Sequence, residues 1–129
     1  MRLQIVRHAE AAPGAPDELR ALTPIGRQQA RELGDRLRRE GLVPDAVLSS
    51  PLLRARETAQ ALALGEPEAD ERLAPGATAE DVRAAATGRG ETVLVVGHQP
   101  DCGQVAAALG DGTEPRFPPC GLAVLELPE

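Results

Sequence analysis

The sequence has almost no aromatic residues: tryptophan and tyrosine are absent, and Phe117 is its one phenylalanine. Alanine, leucine and valine must therefore build the core, and the chain has no aromatic platform on which bases or sugar rings could stack. A basic excess is lacking as well, because the net charge is −6, whereas proteins that neutralise nucleic-acid backbones usually carry a positive excess. We therefore expect no nucleic-acid partner.

The chain also lacks long apolar runs and has few cysteines. No segment approaches the roughly 20 apolar residues that span a bilayer, and the N-terminus lacks the basic region and apolar stretch of a secretory signal. We therefore expect a cytoplasmic protein with no membrane partner. Cys102 and Cys120 are the two cysteines, and in a reducing compartment we expect them to be free thiols.

Strand and helix patterns alternate along the chain. Four segments have the apolar patterns of strands: 3–6, 45–50, 92–96 and 121–127. Four further segments have helical patterns: 22–41, 50–64, 78–86 and 100–110. This alternation predicts an α/β sandwich around a mainly parallel sheet. A chain of 129 residues, 42% of them hydrophobic, is long enough for residues 1–129 to form one domain.

The start of the second predicted helix carries an unusual charge. Ser50 and Pro51 predict its cap and its first position, which places Arg54 in the first helical turn. An arginine there opposes the helix dipole and so needs a compensating role; the alternative is a solvated arginine like Arg56. The other predicted helix ends have capping or terminating residues of their own: Thr23, Gly41, Thr78, Pro100 and Gly110.

Polar residues follow three of the predicted strands. Arg7 and His8 come after the first strand, Arg54 shortly after the second, and His98 after the strand at 92–96. Ligands bind at the carboxyl ends of the strands in such folds, so we expect these residues to converge. Arginine presents a fork of donors that matches phosphate oxygens, and a neutral imidazole is a competent nucleophile toward phosphorus. Two histidines without a carboxylate cluster make an incomplete metal site, so we expect no metal and no cofactor.

Four motifs carry a family resemblance: "RHA" at a strand end, "LTPIG" before a helix, "SSPLLRARETA" and "VVGHQP". In this order and approximate spacing they resemble the histidine phosphatase superfamily, which includes phosphoglycerate mutases and histidine acid phosphatases. The resemblance runs from Arg2 to about Pro100, and "FPPCGLAVLEL" is similar to the closing strand of the family. It implies a phosphoglycerate mutase-like, three-layer α/β/α sandwich with an antiparallel edge strand. Because the chain has little room for an inserted cap domain, it is most similar to SixA-type phosphohistidine phosphatases.

The resemblance also implies roles for the site residues. His8 matches the nucleophile that becomes phosphorylated, Arg7 and Arg54 match the two phosphate-clamping arginines, and His98 matches the second histidine of the pocket. His8 must be neutral to attack, and we expect a hydrogen bond from its other ring nitrogen to a backbone carbonyl to fix its tautomer. We expect His98 to donate to a phosphoryl oxygen.

A general acid is the part of the family pattern that the sequence does not identify. Gln99 stands where the histidine acid phosphatases carry an aspartate. The candidates are Glu10, Glu71, Glu80 and Asp101, although for each of them taken singly a solvated surface carboxylate is the better interpretation. Imidazole leaving from a phosphohistidine needs less protonation than an alkoxide, because its conjugate acid has a pKa of about 6.5. A pocket without an evident acid therefore favours a nitrogen-linked phosphate.

These observations predict a metal-independent phosphatase that forms a phosphohistidine intermediate and acts on phosphohistidine in a protein partner. Two alternatives stay open: a phosphatase or mutase of small phosphorylated metabolites, and a non-catalytic phosphate-binding module. The presence of His8 argues against the module, because binding alone needs the arginines more than a nucleophile. An acidic stretch at residues 66–71 can line one rim of the site and repel small polyanions; the alternative is a solvated acidic surface.

Overall fold

A computed structural model of the chain describes residues 1–128. Within these residues, five strands form one sheet: β1 (Arg2–Arg7), β2 (Ala46–Ser49), β3 (Pro67–Ala69), β4 (Thr92–Gly97) and β5 (Leu122–Glu126). The α-helices of the described chain are α1 (Pro24–Arg39), α2 (Leu53–Leu62), α3 (Ala79–Ala86) and α4 (Asp101–Leu109). Short 3₁₀ turns at Asp17–Leu19 and Glu71–Leu73 lie in the loops before α1 and α3.

The sheet brings the ends of three strands together. Its order is β3-β2-β4-β1-β5, with β1 to β4 parallel and β5 antiparallel to β1 at the edge. At the carboxyl ends, Arg7 pairs with Gly97, and Ser49 pairs with Val96. The residues that follow β1, β2 and β4 therefore emerge at one edge of the sheet, as the alternating pattern predicts.

Helices cover both faces of the sheet because successive residues of the central strands point to opposite faces and are apolar on both. Ile5 and Val95 belong to a buried cluster with residues of α3 and α4. Val6 and Val96 point to the opposite face and belong to a second cluster, with residues of α1 and α2. The expected three-layer α/β/α sandwich with an antiparallel edge strand is confirmed.

Two glycines let α1 pack very closely against its neighbours. A Cβ at Gly34 would clash with the carbonyl oxygen of Leu62, at the end of α2. A Cβ at Gly26 would clash with the carbonyl oxygen of Glu10, in the loop that follows β1. The absence of a side chain at these positions therefore fixes α1 against α2 and against the loop at the carboxyl end of β1.

Most predicted helix ends are confirmed, but the start of α2 is not. The Thr23 and Thr78 side chains accept hydrogen bonds from backbone N–H groups in the first turns of α1 and α3. The prediction that Ser50 caps α2, with Pro51 at its first position, is wrong: α2 begins at Leu53 and has no side-chain cap. Arg54 still lies in the first turn. Helix α4 begins at Asp101, one residue later than predicted.

Strand β3 was not predicted; it has three residues and pairs with β2 at the edge of the sheet. Cys102 and Cys120 are free thiols; Cys102 is buried in the core and Cys120 is half-buried. No helix within residues 1–128 has the length and apolar character needed to cross a membrane.

Candidate active site

The end of β1 holds His8 by its backbone. The His8 N–H donates to the Gly97 carbonyl at the end of β4, with a nitrogen–oxygen distance of 3.0 Å. The His8 carbonyl accepts a 3.1 Å hydrogen bond from the N–H of Cys120, in the loop before β5. Three segments that are distant in sequence therefore fix the position from which the His8 ring projects.

The His8 ring has a defined tautomer. Its Nδ1 lies 2.7 Å from the carbonyl oxygen of Ala9. A carbonyl can only accept, so Nδ1 carries the proton and donates, which leaves the Nε2 lone pair of neutral His8 available. The expected hydrogen bond to a backbone carbonyl is confirmed.

Thr58 of α2 connects the loop after His8 to the helix that carries Arg54. The fully buried Thr58 hydroxyl accepts a 3.0 Å hydrogen bond from the Ala9 N–H and donates a 2.7 Å hydrogen bond to the Arg54 carbonyl. Ala9, whose carbonyl orients the His8 ring, is thereby tied to the first turn of α2. The Thr58 side chain couples the positions of His8 and Arg54.

His98 follows β4 and lies beside His8, with the two ring centroids 5.4 Å apart. The His98 Nε2 lies 2.7 Å from the Ser50 hydroxyl oxygen, which also accepts a 3.2 Å hydrogen bond from the Leu52 N–H. The arrangement with the fewest unpaired groups has the Ser50 hydroxyl donating to Nε2, so that His98 Nδ1 carries the ring proton. Ser50 therefore holds the His98 ring, which explains why its hydroxyl is not at the cap of α2.

Two arginines complete this side of the sheet. Arg7 donates from one terminal nitrogen to the Phe117 carbonyl at 3.0 Å. Arg54 is buried and donates to Asp17 twice, to its carbonyl oxygen at 2.9 Å and to its Oδ2 at 3.2 Å. The other carboxylate oxygen of Asp17 accepts a 3.1 Å hydrogen bond from Arg20. A guanidinium has five N–H groups, so both Arg7 and Arg54 retain donors beyond these contacts.

Burial and the arginines keep His8 neutral. Burial lowers the pKa of His8 below its ordinary value of 6.5, and the hydrogen bond to Ala9 opposes that shift. The positive charges of Arg54, Arg7 and Arg20 lower the pKa further. Because all three guanidiniums act on the ring, their charges converge on His8, and at neutral pH the ring is predominantly uncharged.

His98 is held neutral more strongly than His8. Its pKa is lowered to about 4, chiefly by burial; the charges of protonated His8 and of Arg54 contribute to the lowering, whereas the carboxylate of Asp17 opposes it. The charge of Asp17 therefore acts on the His98 ring. A neutral His98 can donate one hydrogen bond from the protonated nitrogen without adding charge to the site.

Two buried donors at this site lack a protein partner. Within the described residues, three buried side-chain nitrogen or oxygen atoms have no hydrogen-bond partner: Arg7 Nε, His98 Nδ1 and Gln4 Oε1. The first two belong to side chains that flank His8. Because buried donors are rarely left unpaired in folded proteins, these two N–H groups point to a ligand with acceptor oxygens.

The candidate general acids Glu10 and Asp101 have partners outside the histidine pair. The Glu10 carboxylate accepts a 2.7 Å hydrogen bond from the Thr23 hydroxyl at the start of α1. The Asp101 carboxylate, in the first turn of α4, accepts a 2.7 Å hydrogen bond from the Gly76 N–H. Both carboxylates stabilise loops that border the site.

The other two candidates, Glu71 and Glu80, lie in the 3₁₀ turn after β3 and in the first turn of α3. Within residues 1–128, no hydrogen bond joins any of the four candidate acids to His8 or His98. Nor is any cluster of three or more His, Cys, Asp and Glu side chains in that range arranged to hold a metal ion. The carboxylate whose charge acts on His98 is that of Asp17, which is not among the four candidates.

The structure brings Arg7, His8, Arg54 and His98 together, as the sequence analysis expects. Arg20 and Asp17 were not predicted, because they lie in a Pro/Gly/Ala-rich segment without periodicity. The sequence also contains no signal that the hydroxyls of Ser50 and Thr58 turn inward. For Arg54 the signal was present, since an arginine in a first helical turn is unfavourable without a partner.

Comparison with known proteins identifies relatives of the whole chain. The family model "Histidine phosphatase superfamily (branch 1)" matches residues 3–77. Phosphohistidine phosphatase SixA of Escherichia coli (strain K12) is 33% identical over 140 residues, which cover 100% of this chain and 87% of that protein. An uncharacterised protein of Picosynechococcus is 37% identical over 123 residues, which cover 87% of this chain and 74% of that protein.

A solved structure extends the likeness to three dimensions. The structure of the protein histidine phosphatase SixA complexed with tungstate has a TM-score of 0.88 and 29% identity, over 98% of this chain and 88% of that chain. The likeness in sequence and the likeness in fold agree, and both support phosphatase activity. On these grounds the chain belongs to the histidine phosphatase superfamily, branch 1.

Proposed function

We propose that the protein is a metal-independent phosphatase that works through a phosphohistidine intermediate on His8 and acts on phosphohistidine in a protein partner. The observation that carries the proposal is the pair of unpartnered buried donors, Arg7 Nε and His98 Nδ1, beside a neutral His8. A tetrahedral oxyanion satisfies such donors. The tungstate bound by the SixA relative is an oxyanion of that shape, which supports the proposal.

The proposed reaction has two steps. In the first, the Nε2 lone pair of His8 attacks phosphorus, a bond forms between Nε2 and phosphorus, and the bond to the leaving group breaks with its electron pair. In the second, water attacks the phosphoryl group on His8, releases phosphate and restores the neutral ring. The hydrogen bond from His8 Nδ1 to Ala9 supports both steps, because it holds Nε2 in the unprotonated state.

Positive charge for the transition state comes from arginine in this proposal. Arg7 and Arg54 bind the phosphoryl oxygens, and His98 donates to one of them from Nδ1. Arg20 adds a third positive charge that acts on His8. With the two histidines neutral and Asp17 ionised, the three arginines give the site a net charge that is complementary to a phosphoryl dianion.

The state of the carboxylates near the site favours a substrate with a nitrogen-linked phosphate. Glu10 and Asp101 are already hydrogen-bonded elsewhere, and the pKa of Asp17 is lowered by its hydrogen bond to Arg20 and by Arg54. None of the three is suited to protonate an alkoxide. Imidazole leaves without such help, because its conjugate acid has a pKa of about 6.5.

The acidic stretch at residues 66–71 is partly neutralised. Glu68 forms an ion pair with Arg89, and Asp70 forms one with Arg72 at 2.8 Å. Repulsion of small polyanions by this stretch is therefore a weaker argument for a protein substrate than the missing acid. The choice between a protein and a small metabolite depends on the leaving group.

A substrate panel tests the proposed function. We expect kcat/KM for a phosphohistidine protein to exceed that for phosphotyrosine, sugar phosphates and phosphoglycerates by at least about tenfold, or roughly 1.4 kcal/mol in transition-state binding. The assays include a chelator, because the proposed charge stabilisation comes from side chains. A sugar phosphate or phosphoglycerate as the better substrate would instead identify a metabolite phosphatase or mutase. Phosphate binding without turnover of any substrate would identify a binding module.

Thr58 offers a second test, because it positions His8 without touching the substrate. Thr58→Val keeps the shape but leaves the buried Ala9 N–H unpaired, which costs about 1–3 kcal/mol of stability. We expect kcat to fall about tenfold at temperatures where the variant is folded, with a smaller change in KM, and Thr58→Ser to restore most of the loss. The measurements are steady-state kinetics and thermal unfolding.

Thr87→Val is the matched control for Thr58. The Thr87 hydroxyl donates a 2.7 Å hydrogen bond to the Arg83 carbonyl at the end of α3, the same contact that Thr58 makes with Arg54. Thr87 is exposed and distant from the histidines, so its replacement is expected to leave kcat unchanged. Equal kinetics for both valine variants would show that Thr58 contributes to stability alone.

A further inference from the structure

Asp17 bridges two arginines whose charges act on His8. Its Oδ1 accepts from Arg20 at 3.1 Å, its Oδ2 accepts from Arg54 at 3.2 Å, and its carbonyl accepts from Arg54 at 2.9 Å. The Asp17 side chain is 61% exposed, whereas that of Arg54 is 8% exposed. The contact therefore runs from a buried guanidinium to an open carboxylate. A carboxylate has about four acceptor directions, of which the arginines use two.

The charge state of Asp17 defines what it can do. Its hydrogen bond to Arg20, together with Arg54, lowers its pKa, so the carboxylate stays ionised. An ionised carboxylate cannot protonate a leaving group, but it can accept an N–H. Its charge acts on His98, so it lies within electrostatic reach of the pocket.

The direction in which the leaving group departs follows from the proposed displacement at phosphorus. In an in-line displacement the leaving group departs on the side opposite His8, because the forming bond and the breaking bond are collinear at phosphorus. The rest of a protein substrate must stay in solvent, so its leaving group lies on the solvent side of the phosphoryl group. The exposed Asp17 carboxylate is therefore available to a group that departs from phosphorus.

We propose that Asp17 forms a leaving-group subsite that accepts a hydrogen bond from the far ring N–H of a phosphorylated imidazole. The inference rests on the proposed function and names the residue that distinguishes nitrogen-linked from oxygen-linked phosphates. In the step it assists, the bond from His8 Nε2 to phosphorus forms while the bond from phosphorus to the substrate nitrogen breaks. The electron pair stays on the substrate ring and cancels its imidazolium charge, and the proton remains on the far nitrogen, bonded to Asp17.

The same carboxylate disfavours an oxygen-linked leaving group. A departing alkoxide or phenolate brings negative charge toward Asp17 and offers no N–H. The carboxylate thus stabilises one class of leaving group and repels the other. A residue that only oriented Arg54 would affect both classes equally, since Arg54 acts on the phosphoryl group that they share.

The test compares two substrates in one variant. Free phosphohistidine and p-nitrophenyl phosphate are hydrolysed by the native protein, by Asp17→Asn and by Asp17→Ser, with thermal unfolding to verify the fold. We expect the ratio of kcat/KM for phosphohistidine to kcat/KM for p-nitrophenyl phosphate to fall at least about tenfold in both variants. The native ratio should rise as the pH falls through the pKa of the substrate ring, about 6.5, and this dependence should weaken in both variants.

Glu18→Gln is the matched control, because Glu18 is the exposed neighbour in the same 3₁₀ turn and its replacement changes the net charge equally. Its ratio should match that of the native protein. An equal loss on both substrates in the Asp17 variants, or no loss on either, would overturn the subsite while leaving the proposed function intact. A native protein inactive on phosphohistidine, both free and in a protein, would overturn both.

Discussion

His8→Ala is expected to abolish turnover, with kcat falling on the order of 10⁴-fold or more, as for removal of other covalent nucleophiles. The loss follows from the proposed chemistry, because alanine has no lone pair to attack phosphorus and no group to carry the phosphoryl intermediate. Steady-state kinetics with a phosphohistidine substrate measure the loss. Trapping of labelled phosphate on the denatured chain measures the intermediate.

The fold should survive this substitution. The hydrogen bonds that hold residue 8, to Gly97 and from Cys120, are made by its backbone and remain in an alanine variant. The sequence contains two histidines, so the label has two possible acceptors, and mass spectrometry can assign it. Label on His98, or turnover retained by His8→Ala, would contradict the proposed mechanism. In His98→Ala the label should still form on His8, at a lower rate.

The pH dependence of the native protein checks the charge state of His8. Burial and three arginines lower the pKa of His8, so protonation of the free enzyme should reduce kcat/KM only below pH 6.5. This fall in kcat/KM at low pH belongs to the folded protein if the protein does not unfold in the same pH range. A limb above pH 6.5 would mean that a bound group or another residue controls the reaction.

Much of the site was predictable because strand ends are visible in the sequence. Arg7 and His98 directly follow or close apolar runs, and parallel strands end at the same edge of a sheet. The start of α2 was mispredicted for a long-range reason. Ser50 before a proline has the local pattern of a cap, but its hydroxyl forms a hydrogen bond with His98, 48 residues further along the chain. Local sequence contains no information on that competition.

Other parts of the structure lacked any local signal. Strand β3 begins with a proline and has two exposed residues, so neither alternation nor apolar content marks it, and pairing with β2 creates it. Asp17 and Arg20 lie in a loop without periodicity, and their approach to Arg54 depends on the path of that loop over α2. The site is therefore predictable where a residue lies at the end of a strand or in the first turn of a helix. It is hidden in the long loop before α1, and at Thr58, whose contacts depend on how α2 packs.

Arg54→Ala is expected to lower kcat/KM by about 10²-fold or more, as for the loss of other charge-stabilising donors. The reason is the position of Arg54: it is buried, acts on both histidines, and keeps donors free beyond its two hydrogen bonds to Asp17. Stability should change by only about 1 kcal/mol, because α2 loses those hydrogen bonds but also a charge that opposes its dipole. Kinetics and thermal unfolding separate the two effects.

Arg56→Ala is the matched control for Arg54, two residues along the same helix. Its side chain is exposed and donates to the Pro51 carbonyl, so its removal is expected to leave kcat/KM within about twofold of the native value. Arg54→Lys separates charge from geometry, because lysine keeps the positive charge but cannot present two parallel donors to a phosphoryl group. If the two parallel donors are needed, kcat/KM of Arg54→Lys will lie nearer to that of Arg54→Ala than to that of the native protein. A loss of tenfold or less in both Arg54→Ala and Arg7→Ala would place the phosphate clamp on other residues, and Arg20 would then be the remaining arginine whose charge acts on His8.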